Sequence, residues 1–301
     1  MTWLILGILT AFFEAVKDVL GKQNLQKSDE YVVAWSFSFF SVIFLIPWVL
    51  YTGIPPLNSQ FWLALLIGGG INAFTALLYI KAIKLSDLSL TLPMVALTPL
   101  FMLLTSPLMV GEYPKLFDYI GILLIVAGSY LLNIKEKSKG YLAPFKALLN
   151  EAGPKLMLIV AFLWSIASNC DKIGVTNSYP IFWVFSLFGT MSVLLLPVLL
   201  HKTPNPGRQI LKQLPMLAAM GFINATGVIF QMQALTLTSV VRVTALKRTS
   251  VLMGVLFGHF IFKEKDIQER LLGAGIMILG VLFISLSDEI SGNLTLILPR
   301  M

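Results

Sequence analysis

Residues 71–132 recur, without a gap, 152 positions further along the same 301-residue chain. Ile71-Asn72-Ala73 falls on Ile223-Asn224-Ala225, Ala82 on Ala234, Leu85 on Leu237 and Leu100 on Leu252. Leu104 falls on Leu256, Glu112 on Glu264, Gly121 on Gly273 and Gly128 on Gly280. Leucine matches carry little weight in an apolar chain, whereas Asn, Glu and two Gly at one offset carry a great deal. A duplicated membrane chain is restricted to architectures built from two like halves, a pattern common among secondary carriers.

The chain is a membrane chain by composition: 57% of its residues are apolar and 12% charged, against roughly 25% charged in soluble domains. Ten apolar segments cover roughly 2–21, 32–51, 61–83, 87–110, 116–134, 156–173, 180–200, 212–235, 239–262 and 268–287. A bilayer span takes about 20 such residues. Backbone polar groups in lipid are satisfied only within helices or closed barrels, and runs this uniformly apolar do not alternate as barrel strands do. The expected fold is therefore all-α and polytopic, with ten transmembrane helices. We divide the chain into a first five-helix repeat at 1–134, a basic linker at 135–155 and a second repeat at 156–301 with a short C-terminal tail. Five spans is an odd number, so the second copy enters the membrane upside down relative to the first. This predicts an inverted repeat with a substrate site between the halves.

The net charge of +7 does not argue for nucleic acid, because the basic residues lie between apolar segments, where lipid headgroups attract them. Cys170 is the only cysteine, which excludes an intrachain disulfide and a cysteine metal site. The first segment lacks the basic leader of a secretory signal. The linker, with Lys135, Lys137, Lys139, Lys146 and Lys155, has room for a short surface helix around 144–150 but not for a soluble domain. Gly68-Gly69-Gly70 lacks the Lys-Ser/Thr of a phosphate loop and reads as close helix contact or a bend. Pro55-Pro56 and Pro204-Asn205-Pro206-Gly207 mark turns at matching places in the halves.

Charges inside the apolar segments carry the chemistry. A charged side chain at mid-helix costs about 2.5–3.5 kcal/mol on insertion scales. Lys247 and Arg248 lie side by side well inside the ninth segment, and unpaired they would cost about 5–7 kcal/mol. As a site they would capture an anion, Arg as a planar fork and Lys as a movable point charge. The structural alternative is ion pairing with buried carboxylates. Arg242, nearer the segment's start, either joins the site or snorkels to the surface. The first segment offers Glu14 and Asp18, four residues apart on one face, with Lys17 beside Glu14. Asp18 is echoed by Asp171 in the sixth segment. These carboxylates are candidates for charge balance or proton coupling, or for simple contacts at the membrane surface. Asn72 and Asn224 repeat, so interhelical hydrogen bonding comes first for them and substrate contact second. Gln231, Asn169 and Tyr79 are further candidates to line a cavity. Gly254 and Gly258 read as a helix-packing pair, His259 as interfacial, and Pro93, Pro99 and Pro107 as bends in the fourth segment. Two His and scattered Ser give no nucleophile–base spacing, so no enzyme, cofactor or metal is expected.

The ends of the two copies carry a resemblance. They read Ala82-Ile83-Lys84-Leu85-Ser86, Leu97-Thr98-Pro99-Leu100 and Gly111-Glu112 in the first, and Ala234-Leu235-Thr236-Leu237-Thr238 and Phe262-Lys263-Glu264 in the second. With ten segments in two copies, this resembles the drug/metabolite transporter superfamily and, within it, the EamA-type permeases. The resemblance covers roughly 3–287. It implies a carrier or exporter of small metabolites driven by protons or exchange. It also implies a cavity lined by segments 1, 3, 4, 6, 8 and 9, and both termini in the cytoplasm. Lys247-Arg248 is similar to a Lys-Arg pair that holds anionic substrate in the organic-phosphate and nucleotide-sugar branch. Lysine and arginine nevertheless concentrate in the odd-numbered loops, which the positive-inside rule assigns to the cytoplasm, with both termini outside. Either way the termini share a side.

The resulting expectation is a carrier in the cytoplasmic membrane, monomeric or homodimeric, moving a small anionic or zwitterionic metabolite by alternating access, with protons or a counter-substrate as partner. The alternative is an exporter of amino acids or hydrophobic cations in which the buried cations are structural ion pairs. A membrane enzyme, a scramblase or a channel fits the pattern less well.

Overall fold

The computed structural model describes residues 2–85, 94–133, 150–262 and 267–297. Within them the chain is helical. The first half comprises α1 (Thr2–Leu25), α2 (Glu30–Thr52), α3 (Ser59–Leu85), α4 (Thr98–Met109) and α5 (Leu116–Asn133). The second comprises α6 (Ala152–Thr176), α7 (Pro180–Lys202), the short α8 (Pro206–Lys212), α9 (Leu214–Leu237), α10 (Val240–Lys247), α11 (Ser250–Phe262) and α12 (Ile267–Ile297). Five of these, at Glu30–Thr52, Ser59–Ala82, Ala152–Thr176, Pro180–Lys202 and Leu214–Leu237, are long and apolar enough to cross a bilayer unaided. The remaining spans are α1 and the shorter or divided helices, and together they make the ten-span membrane fold. Four linker lysines, most of the expected 144–150 helix, Pro93, Lys263-Glu264 and the His259 side chain lie outside the described residues. Asn205 takes a left-handed φ of 49°, which lets Pro206 start α8, a helix the turn signal there concealed.

The two halves interlock. α1 runs along α9 and α3 along α6; α2 packs on α7 and α9, and α5 on α12. Exchanging the halves turns the α1–α9 contact into α6–α3 and maps α2–α7 and α5–α12 onto themselves, as a two-fold axis requires. We call the face where α1 begins the upper face and the face where it ends the lower.

The repeated glycines explain the α5–α12 contact. A Cβ on Gly121 would sit 2.7 Å from the Gly280 carbonyl oxygen, and one on Gly128 would sit 2.6 Å from that of Gly273. Each glycine thus meets the copy of the other glycine, so the two antiparallel backbones approach where only hydrogen fits. Gly68 and Gly69 admit Cys170 and Thr190 in the same way. Gly254 meets nothing within 4 Å among the described residues, and Gly258 lies outside those whose side chains are described.

The fourth and ninth segments are both broken. Helix gives way to a turn at Ala96–Leu97 and again at Arg248–Thr249, 152 positions apart. In the first copy Pro99 removes an N–H, and the Thr98 hydroxyl donates to the freed Val95 carbonyl at 2.8 Å. In the second, Val251 stands where the proline was. The chain there tightens to three-residue bonds, from Arg248 N to Ala245 O and from Thr249 N to Leu246 O, both 3.0 Å, the second repeating the bond from Leu97 N to Met94 O at 3.1 Å in the first copy. The Thr249 hydroxyl adds a bond to Leu246 O at 2.7 Å. Discontinuous helices at repeat-related positions are where carriers place their substrate sites.

Gly128→Val will force α5 and α12 apart at a cost of about 1–3 kcal/mol, typical of overpacking. The melting temperature of the purified protein will fall. Gly254→Ala, which meets no neighbour among the described residues and removes a helix-interior glycine, will not lower it.

Candidate functional site

The break in the ninth segment brings its two cations to the middle of the bundle. Lys247 ends α10 and Arg248 sits in the turn. Opposite them, on α1, Glu14 holds Lys17 at 2.7 Å through Oε1 and Lys247 at 3.5 Å through Oε2. One carboxylate therefore answers two ammonium groups, one from its own helix and one from the other repeat. Gln231 of α9 gives Lys247 a further acceptor at 3.1 Å. The side chains of Glu14, Lys17 and Lys247 keep 21–25% of their surface exposed, so the cluster is not sealed in the core. Asp18 lies one turn from Glu14, towards the lower face.

Arg248 faces an aromatic wall. Its guanidinium carbon lies 6.0 Å from the centre of the Trp164 ring of α6, at the outer range of a cation–π contact. Its Nε is buried and makes no hydrogen bond among the described residues. Trp164 stacks on Tyr79 of α3, with centroids 5.9 Å apart, and its Nε1 donates to the Thr75 hydroxyl at 3.0 Å. Trp164 and Thr75 were not singled out from the sequence. The available signal was a tryptophan, an apolar ring with a polar tip, at the same depth as the charges. The cluster thus draws Glu14, Tyr79, Gln231, Lys247 and Arg248 together from four helices and the turn after α10, and adds Lys17, Thr75 and Trp164.

Other candidates stand elsewhere. Arg242 forms a bidentate ion pair with Asp118 of α5, Nε to Oδ1 at 2.8 Å and Nη2 to Oδ2 at 2.9 Å, and its Nη2 also reaches Ser287 at 3.4 Å. Neither snorkelling nor membership of the cluster describes it. Asn169 is fully buried and ties α6 to α4 through the Thr105 hydroxyl at 2.9 Å. Asp171 is buried too and accepts from Trp183 Nε1 at 3.0 Å. Asn224 donates to Ser41 of α2 at 3.0 Å, an interhelical bond, whereas Asn72 turns back to Gly68 O of its own helix at 2.8 Å. The two repeated asparagines therefore differ in use.

Comparison with known proteins decides the family. The EamA-like transporter family model matches residues 1–134 and again 152–286. The chain belongs to the EamA-like transporter family. An uncharacterized transporter of Archaeoglobus fulgidus is 31% identical over 137 residues, 44% of this chain and 47% of that protein. The match thus spans about half the length of that relative. A solved crystal structure with 15% sequence identity superposes with a TM-score of 0.73, covering 94% of this chain and 96% of the other. At that identity the likeness concerns the fold alone.

Glu14→Gln will lower thermal stability, because it leaves two ammonium groups in the membrane interior short of a partner, and Lys247→Gln, which leaves Glu14 paired with Lys17, will lower it less. Melting curves of the double variant will show a coupling of about 0.5–3 kcal/mol, as expected for groups in contact. Strict additivity would place the two side chains out of contact.

Proposed function

We propose that this EamA-family protein carries a small anionic or zwitterionic metabolite across the cytoplasmic membrane by alternating access. The observation that carries this reading is Arg248. A guanidinium at the centre of the bundle has no hydrogen bond at Nε and lies against the Trp164–Tyr79 stack, next to an ammonium. A carboxylate or phosphate offers that fork the acceptors it lacks. Lys247 would move from Glu14 towards the incoming anion, and Lys17 would keep Glu14 compensated meanwhile. Gln231 would follow Lys247, and the aromatic wall would bear on the apolar body of the substrate. Glu14 and Asp18 remain the carboxylates through which a proton or the ammonium of a zwitterion would be balanced.

The second reading is an exporter of amino acids or hydrophobic cations, with the cations as structural pairs. It draws on the Glu14–Lys247 contact at 3.5 Å. Among the described residues Arg248 makes no such pair.

Uptake into proteoliposomes separates the two. Lys247→Ala and Arg248→Ala, folded normally, will lose transport of an anionic or zwitterionic substrate by at least about tenfold, the equivalent of 1.4 kcal/mol of lost binding. Wild-type rates in both would remove the anion site.

A further inference from the structure

The two faces of an inverted repeat are chemically equal until the sequence makes them unequal, and here two ion pairs do so. On the upper face Gly111, with φ of 71°, ends α4 and turns Glu112 across to the second repeat. Glu112 Oε2 accepts from Val240 N, at the start of α10, at 2.8 Å. Its Oε1 lies 3.0 Å from Lys172 Nζ of α6. Lys172 also donates to the Leu235 and Thr238 carbonyls at 2.5 and 2.9 Å, at the end of α9. One pair thus joins the end of α4 to α6, α9 and α10. Below it, Asp118 and Arg242 pair across the repeats while 2% and 8% exposed. Between these pairs and the central cluster, Val243 to Leu246 of α10 are all buried.

The same shift shows what the lower face has to work with. Glu112 corresponds to Glu264, but Lys172 corresponds to Leu20; Asp118 corresponds to Arg270, but Arg242 corresponds to Leu90. Shifting by 153, as aligns Asp18 with Asp171, gives Val19 instead of Leu20. Neither cation has a basic counterpart. Leu20 packs instead against the buried cluster of Val32, Val33, Phe40, Leu199, Leu217 and Met220. The scaffold helices, by contrast, are tied at both ends. Asp29 binds the Thr203 hydroxyl at 2.9 Å and Gln209 at 3.0 Å below, and Tyr179 binds the Thr52 hydroxyl and the Gly53 carbonyl above.

We infer that Glu112–Lys172 and Asp118–Arg242 form an upper-face lock that neither repeat-related position reproduces among the described residues of the lower face, so that the empty carrier rests sealed above. The four residues set the sidedness of the transport cycle. Opening upward requires both pairs to part, whereas opening downward breaks neither, and contacts made in only one state shift the population towards it. Substrate reaching the centre from below must loosen the lock, through α10, which carries Arg242 and Lys247 on one short helix. This rests on alternating access but not on the charge of the substrate.

The test is labelling of Thr244→Cys, a buried α10 position between lock and cluster, in a Cys170→Ser background in nanodiscs, with a water-soluble maleimide and no substrate. Adding Lys172→Met will raise the labelling rate severalfold, and Lys172→Arg, which keeps the cation, will hold it near the parent rate. Asp29→Ala, which loosens the lower scaffold tie, will not raise it. Arg242→Lys, which keeps charge but loses the fork, will give an intermediate rise, and it serves as the deciding variant should Lys172→Met not fold. Parent rates in both Lys172→Met and Arg242→Lys would overturn the lock, as would an equal rise in Asp29→Ala. Since no substrate is present, failure of the anion site leaves these outcomes untouched.

Discussion

Glu14 carries two ammonium groups in the middle of an apolar bundle, and the surroundings follow from the need to keep that arrangement compensated. A mid-membrane charge is tolerated only with a partner or a wet cavity. Lys17 comes from the same helix, but Lys247 reaches Glu14 only because the ninth segment breaks beside it and α1 packs against the second repeat. The cluster therefore depends on the interlocking of the halves. That in turn depends on crossings such as Gly121 with Gly280 and Gly128 with Gly273, where backbones meet without side chains between them.

Much of this was legible in the sequence, because the constraints concerned are one-dimensional. Span length, an odd number of spans per copy and matched Asn, Glu and Gly positions lead to an inverted ten-span fold. Charges in apolar runs mark Glu14, Lys247 and Arg248, since their cost is independent of the neighbours. The rest depends on which way a side chain points around its helix, and nearly uniform apolar segments carry little periodic signal for that. Asp118 looks interfacial from its place at the start of α5, yet it is the buried partner of Arg242. Asn169 faces α4 through Thr105, and Trp164 faces Arg248, only five residues earlier on the same helix. Gln231 and Tyr79 could be placed in a cavity from composition, but their partners could not.

The duplication supplies the frame and its breaches supply the chemistry. Both copies break their helix at the same register, with a proline in one and with Arg248 and Thr249 in the other. Where the first copy is apolar, at Leu90, Val95 and Ala96, the second carries Arg242, Lys247 and Arg248. Arg242 ties α10 to the lock, Lys247 meets Glu14 and Gln231, and Arg248 stands beside the aromatic wall. A single eight-residue helix, α10, thus links the seal on one face to the cluster at the centre.

The most direct measurement of the central claim is the melting temperature of the purified protein titrated with organic phosphates, carboxylates, amino acids and hydrophobic cations, in the wild type and in Arg248→Gln. A ligand that binds the folded state raises it by mass action. The account predicts a rise with an anionic or zwitterionic ligand in the wild type that Arg248→Gln abolishes. A rise that survives in Arg248→Gln undiminished, or one produced by cations alone, would contradict it.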